Sequence, residues 1–212
     1  MGKIQYTVTN FVSMILAVQV FAQHEPISDP GYVEPPMPSY EDSLVAETDR
    51  GGIPFIVFDQ YGDSSGSDLT GYVTPSQDFE ATWDTYDTAA VDDFTVTTPL
   101  RVFELIAAFR LDDGGDPQLI AGFRVNIHST LESAQTSLTG NYASLFVDIA
   151  NSYVFQLDNG DYAVSMSSEW FGGGLSNLPI LMTGEYWLSV VPVNSFSTNG
   201  QTYICHSTLG DP

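Results

Sequence analysis

Residues 178–193 read LPILMTGEYWLSVVPV, two apolar, strand-like runs on either side of Thr183-Gly184. The second run is rich in β-branched and aromatic residues, which suit a pleated, half-buried surface. Because side chains alternate across a strand, the neighbours Tyr186 and Trp187 must point to opposite faces. A strand with an aromatic ring on each face predicts a fold of two packed layers.

The rest of the chain supplies further candidate strands. They are bounded by turn residues and cover 53–59, 90–96, 100–111, 119–128, 142–149, 153–157, 162–167 and 201–205. Asn159-Gly160 provides the positive φ angles that a tight hairpin requires. Short strands at intervals of roughly 8–12 residues indicate an all-β, two-layer antiparallel sandwich.

Three other segments are harder to interpret. Residues 100–111, LRVFELIAAFRL, form the one serious helix candidate, but their apolar residues do not keep a 3.6-residue period, so we predict a strand. Residues 72–86 are polar and aromatic and are expected to be irregular or to form short strands. Residues 129–141 are polar and are expected to form a loop.

The N-terminal part divides into two segments. Residues 1–22 have the features of a secretory signal peptide: Lys3, an apolar run, and short residues before a cleavage point that follows Ala22. The alternative is a buried N-terminal strand or helix. Residues 23–52 are acidic and Pro-rich and are predicted to be a linker, or alternatively a ligand for a proline-recognising groove. The sandwich domain is predicted to span 53–212.

The charge of the chain excludes some partners. It has 5 Lys+Arg against 27 Asp+Glu, a formal net charge of −22. Such a surface repels nucleic acid and anionic lipid and attracts divalent cations. No stretch beyond the signal peptide is apolar enough to cross a membrane, so we predict a secreted or cell-surface protein without a membrane span in its mature chain. Cys205, the single cysteine, is expected to be buried, the alternative being a pairing with another chain.

Two motifs carry a resemblance to known domains. AVDDFTV at 90–96 and GEYWLS at 184–189 match an A-x-D-D-F-x-V strand and a G-x-Y-W-x-S strand. Together they resemble secreted bacterial β-sandwich domains of planctomycetes and other environmental bacteria, over about residues 53–212. The resemblance implies a jelly-roll-like fold and an exported surface protein. The look-alikes continue with further strand-like sequence where this chain stops at Pro212, which implies a C-terminal truncation or a final strand from elsewhere. The sheet edge left open would allow oligomers or fibres to form.

Clustered carboxylates make Ca²⁺ the one cofactor that the sequence suggests. Calcium takes six to eight oxygen ligands from carboxylates, carbonyls and water. Asp92-Asp93 is one candidate, because strand geometry sends one of the two side chains inward. The turn that contains Asp112, Asp113 and Asp116 is the other. The alternative is that these acids are solvated or bond turn amides.

Aromatic side chains on irregular segments are candidates for ligand contacts. Trp170 precedes Phe171 and three glycines and is expected on an exposed loop; Trp83 and Tyr86 lie in the irregular segment 72–86. Faces of this kind stack on pyranose rings, so we predict these three residues as the ligand-binding set. Trp187 lies in an apolar run and is interpreted as core.

No catalytic set is evident in the sequence. It lacks a G-x-S-x-G elbow and a P-loop, and its three histidines are scattered. We therefore predict a non-enzymatic, exported surface or matrix module with a structural or adhesive role. The alternatives are a carbohydrate-binding module, stabilised by Ca²⁺ in one version, and a fibre-forming subunit. The expected partners are polysaccharides or other cell-surface proteins.

Overall fold

The chain folds into two antiparallel sheets packed face to face, which confirms the predicted all-β, two-layer sandwich. A computed structural model describes residues 18–23, 55–62, 65–112, 114–167 and 175–209. Within these ranges, one sheet has the strand order β4-β10-β6-β7. The other, larger sheet runs β2-β1-β5-β11-β3, with β9 on the opposite edge of β5 and β8 beyond it.

The strands match most of the predicted segments. Their bounds are β1 Val18–Gln23, β2 Phe55–Asp59, β3 Leu69–Pro75, β4 Asp92–Val96, β5 Arg101–Leu111, β6 Gly122–His128, β7 Ala143–Asp148, β8 Tyr153–Gln156, β9 Tyr162–Ser167, β10 Gly184–Val193 and β11 Thr202–Ser207. Two short helices are α1, Leu131–Thr136, and α2, Phe196–Asn199. Single 3₁₀ turns occur at Asp84–Tyr86, Pro117–Leu119, Ile149–Asn151 and Leu175–Asn177.

Strand β5 is the centre of the larger sheet. It pairs with β9 along one edge and with β1 and β11 along the other. One face, which includes Leu105 and Phe109, lies in the core between the sheets, and the other, which includes Ile106 and Ala108, lies in a second apolar cluster with Tyr61 and Cys205. Burial on both faces explains why the segment shows neither helical nor alternating periodicity. The predicted strand and the predicted burial of Cys205 are confirmed.

Strand β10 places its two neighbouring aromatic rings as expected. Tyr186 is buried in the core and stacks on Phe94 of β4 at a centroid distance of 5.8 Å. Trp187 lies on the opposite, outer face, in register with Asp93 and His128, and is half-buried. The alternation rule therefore held, whereas the assignment of Trp187 to the core was wrong, because its neighbour takes the inward position.

Two segments differ from the sequence-based expectation. Residues 178–182 form no strand; Leu181 makes an isolated bridge to Leu100 and is buried, so this run closes the core as irregular chain. Within the expected loop 129–141, α1 forms because the Thr130 side chain accepts a hydrogen bond from the Ser133 N–H (3.2 Å), a standard N-cap. The helix lies against β6 and β10.

The N-terminal strand β1 lies inside the predicted signal peptide. Val18–Gln23 pairs antiparallel with both β2 and β5. Cleavage after Ala22 would remove five of its six residues. The arrangement corresponds to the alternative of an N-terminal strand, whereas the signal peptide and the linker remain predictions. Among the described residues, no helix has the length and hydropathy needed to cross a membrane.

Gln77 connects the start of β11 to two neighbouring loops. Its buried side-chain Oε1 accepts hydrogen bonds from the Thr202 N–H (2.6 Å) and the Thr202 hydroxyl (3.1 Å). Its Nε2 donates to the carbonyl oxygens of Asn194 (3.0 Å) and Gly200 (3.4 Å). Its backbone pairs with Thr88. The side chain and the backbone of Gln77 together therefore fix the chain near residues 88, 194 and 202 relative to one another.

We expect Gln77→Leu to destabilise the domain by about 2–4 kcal/mol, because it removes the hydrogen bonds to the Thr202 N–H and the Asn194 carbonyl oxygen, both in buried residues. Urea unfolding of the full chain measures the change. Gln118→Leu, at an exposed position of the Pro117–Leu119 turn, is the matched control and should change the unfolding free energy by less than about 0.5 kcal/mol. Equal effects of the two substitutions would show that Gln77 does not have this connecting role.

Candidate functional site: an exposed aromatic cluster

Three aromatic side chains meet at the surface of the domain. Trp83, Tyr86 and Phe196 form what we call the aromatic cluster: the ring centroids of Trp83 and Tyr86 are 5.8 Å apart, and those of Trp83 and Phe196 are also 5.8 Å apart. Tyr86 is 61% exposed and Phe196 is 43% exposed. Grouped, exposed apolar rings are typical of interaction sites, whereas single exposed rings are common on any surface.

Two distant segments of the chain contribute the rings. Trp83 immediately precedes the 3₁₀ turn Asp84–Tyr86, which carries Tyr86, and Phe196 is the first residue of α2. The Phe79 ring is buried, and its centroid lies 6.0 Å from the centroid of the Phe196 ring. The cluster therefore has an apolar base in the domain; Tyr86 and Phe196 are exposed, and Trp83 is half-buried between them.

Glu80 holds the two segments together. Its carboxylate accepts hydrogen bonds from the Ser197 hydroxyl (2.5 Å), the Phe196 N–H (2.8 Å) and the Ser197 N–H (3.1 Å). The Trp83 indole N–H donates to the same Ser197 hydroxyl (3.3 Å). The Ser197 hydroxyl, with further help from backbone N–H groups, lowers the pKa of Glu80 to about 2, so the carboxylate is ionised near neutral pH. These hydrogen bonds connect the segment of Trp83 to the start of α2, which carries Phe196.

Further charged groups lie close to the cluster. Arg124 forms an ion pair with Asp78, and its guanidinium lies 5.8 Å from the centroid of the Phe146 ring. Asp87 is half-buried and accepts a hydrogen bond from the Phe79 N–H (2.8 Å). Burial raises the pKa of Asp87 to about 6, and repulsion from Asp78 and Asp84 adds to this. The segment 78–87 thus carries two rings of the cluster together with several carboxylates, one of which, Asp78, is paired with Arg124.

The structure brings together part of the predicted ligand-binding set. Trp83 and Tyr86 are neighbours in the cluster, while Trp170 lies outside the described residues. Phe196 was missed by sequence reasoning. Its position in the polar stretch NSFSTNG, residues 194–200, was the available signal, since a lone Phe among turn residues lacks the pattern of a core strand.

Of the predicted calcium ligands, the structure describes Asp92, Asp93, Asp112 and Asp116, and three of these four carboxylates accept hydrogen bonds from the protein. The Asp92 carboxylate accepts a hydrogen bond from the Asp93 N–H (3.0 Å), and Asp93 is exposed. Asp112 accepts from the Gln201 N–H and the Tyr203 hydroxyl, both at 3.0 Å. Asp116 accepts from the Gln118 N–H (2.9 Å), and Asp113 lies outside the described residues. Within those residues, no group of three or more His, Cys, Asp or Glu side chains is placed to hold a metal ion.

Other ionisable groups belong to the larger sheet and the hairpin at its edge. Glu104 accepts a hydrogen bond from the Ser165 hydroxyl (2.6 Å), and burial raises its pKa. Arg110 and Asp161 form a bidentate ion pair at 2.5 and 2.9 Å. Burial raises the pKa of the Cys205 thiol, which makes it a poor nucleophile. Neither carboxyl group contacts the aromatic cluster.

Comparisons with known proteins identify no family for this chain, so its class is described by its fold and its aromatic cluster. Protein-family models, curated proteins and solved structures gave no match to this chain. The chain is an acidic, two-sheet antiparallel sandwich with an aromatic cluster at its surface.

We expect Asp87→Asn to change how stability depends on pH. A folded-state pKa of about 6, against an ordinary 3.8, means that the folded protein holds this proton more tightly than the unfolded chain does. This contribution to stability is complete below pH 3.8 and is lost as the pH rises through about 6. Asn keeps the acceptor for the Phe79 N–H and carries no charge. The variant should therefore gain stability relative to the native protein as the pH rises.

Urea unfolding at several pH values measures the effect. Asp158→Asn, at the exposed tip of the β8–β9 hairpin, removes the same charge elsewhere and serves as the control. Parallel stability profiles of Asp87→Asn and the native chain would contradict the assigned role of Asp87.

Proposed function

We propose that this chain is a non-catalytic, exported surface module that adheres to polysaccharide through the aromatic cluster. The observation that carries the proposal is the exposed group of Trp83, Tyr86 and Phe196, fixed by Glu80. The C–H faces of pyranose rings are apolar and stack on aromatic rings. Carboxylates of the segment that carries Trp83 and Tyr86 supply hydrogen-bond partners for the sugar hydroxyls.

The rigidity of the cluster favours ligand binding. A side chain that becomes ordered only on binding loses entropy, whereas a ring fixed beforehand does not. The hydrogen bonds of Glu80 to Phe196 and Ser197, and the Trp83 indole bond to Ser197, hold the rings in place. An adhesive role needs a persistent surface of this kind more than it needs a moving one.

We expect Trp83→Ala to weaken binding to polysaccharide by at least about tenfold, because it removes the central ring of the cluster. A glycan array identifies the ligand, and calorimetry measures affinity. Tyr72→Ala, which removes a 75% exposed ring from β3, is the matched control and should leave affinity unchanged.

Three results would count against the proposal. Absence of binding on a broad array would contradict polysaccharide recognition. Equal effects of the Trp83 and Tyr72 substitutions would place the ligand elsewhere. Hydrolysis of the bound glycan would contradict the non-catalytic assignment.

The proposed export of the protein predicts the residue at which its mature chain begins. If residues 1–22 are a signal peptide, intact-mass analysis of the exported protein will show a chain that begins at Gln23 and lacks Val18–Ala22 of β1. Retention of β1 in the exported or cell-associated protein would contradict the predicted signal peptide and favour the N-terminal strand.

A further inference from the structure

We infer that the polysaccharide recognised by the aromatic cluster carries free amino groups, as in a glucosamine polymer. The inference rests on the proposed function and adds the chemical class of the ligand. It is drawn from the charges around the rings. Asp84 and Glu80 lie directly beside the cluster, and Asp78 and Asp87 lie at its margin.

Two carboxylates adjoin the rings, one along the chain and one through hydrogen bonds. Asp84 is exposed and belongs to the same turn as Tyr86, directly after Trp83. Glu80 is connected to the Trp83 indole through the Ser197 hydroxyl, by hydrogen bonds of 2.5 and 3.3 Å. A pyranose ring stacked on Trp83 therefore has carboxylate oxygens near its substituents.

Among the residues that the structure describes, these acids outnumber the cations that are paired with them. Of the arginines that the structure describes, Arg124 is the one that neighbours this surface, and it is paired with Asp78. Arg110 is paired with Asp161 of the larger sheet. Uronate or sulfated polymers would be repelled, both here and by the net charge of −22. An ammonium group gains instead from charge-assisted hydrogen bonds to carboxylates and from contact with the Trp83 face.

Neutral sugars could stack on the same rings but would leave the carboxylates unused. The acids beside the cluster add affinity when the sugar carries a positive charge, and this affinity is screened by salt. The predicted order of affinity is therefore aminated polymer first, neutral polymer second, and acidic polymer last.

The test compares three oligosaccharides of equal length with the full chain: a glucosamine oligomer, its N-acetylated form and a uronate oligomer. Asp84→Asn should lower affinity for the glucosamine oligomer by about three- to fivefold and leave affinity for the N-acetylated oligomer unchanged. Asp158→Asn removes the same charge from the β8–β9 hairpin and should affect neither. Trp83→Ala should weaken binding of both oligomers.

The outcomes distinguish a failure of the amino-sugar inference from a failure of the proposed function. Equal affinity for the aminated and N-acetylated oligomers, with no effect of Asp84→Asn, would overturn the amino-sugar inference and leave the proposed function standing. Equal loss from Asp84→Asn and Asp158→Asn would also overturn it, because attraction to the whole acidic surface would then explain the preference. Failure of every oligosaccharide to bind would contradict the proposed function itself.

Discussion

Burial of β5 on both faces is the constraint on which the rest of the structure depends. An apolar strand with neighbours on both edges needs a second sheet against one face and a covering layer against the other. The sheet that contains β10 packs against one face of β5. Tyr61, Leu157 and Cys205 contribute to the layer that covers the other face. The remaining strands extend these two layers, and the sequence has apolar residues where each layer requires them.

The aromatic cluster is connected to this centre by a short chain of contacts. Strand β11 pairs with the end of β5, and Gln77 bonds to Thr202 at the start of β11 and to the loop that begins at Asn194. The chain after Gln77 leads to Trp83, and the chain after Asn194 leads to Phe196. The Glu80 carboxylate joins these two segments by hydrogen bonds. The rigidity of the candidate site therefore comes from the core, although its rings lie at the surface.

Local patterns in the sequence were enough to predict what depends on neighbouring residues. Alternation placed Tyr186 and Trp187 on opposite faces, and Asn159-Gly160 marked the β8–β9 hairpin. The failures involve contacts distant in sequence. Phe196 joins the cluster through Glu80, 116 residues earlier, and no local pattern records that contact. The run 178–182 is apolar enough for a strand, yet its place in the fold gives it a single bridge to Leu100.

The central claim is that the aromatic cluster is a preformed ligand surface, and the indole N–H resonances of the tryptophans test it most directly. In a titration of the full chain with a glucosamine oligomer, the account predicts a saturable shift of the Trp83 resonance, assigned by its loss in Trp83→Phe. The Trp187 resonance, from the outer face of β10 beside His128, should not move. A saturable shift of Trp187 with an unchanged Trp83 would contradict the account.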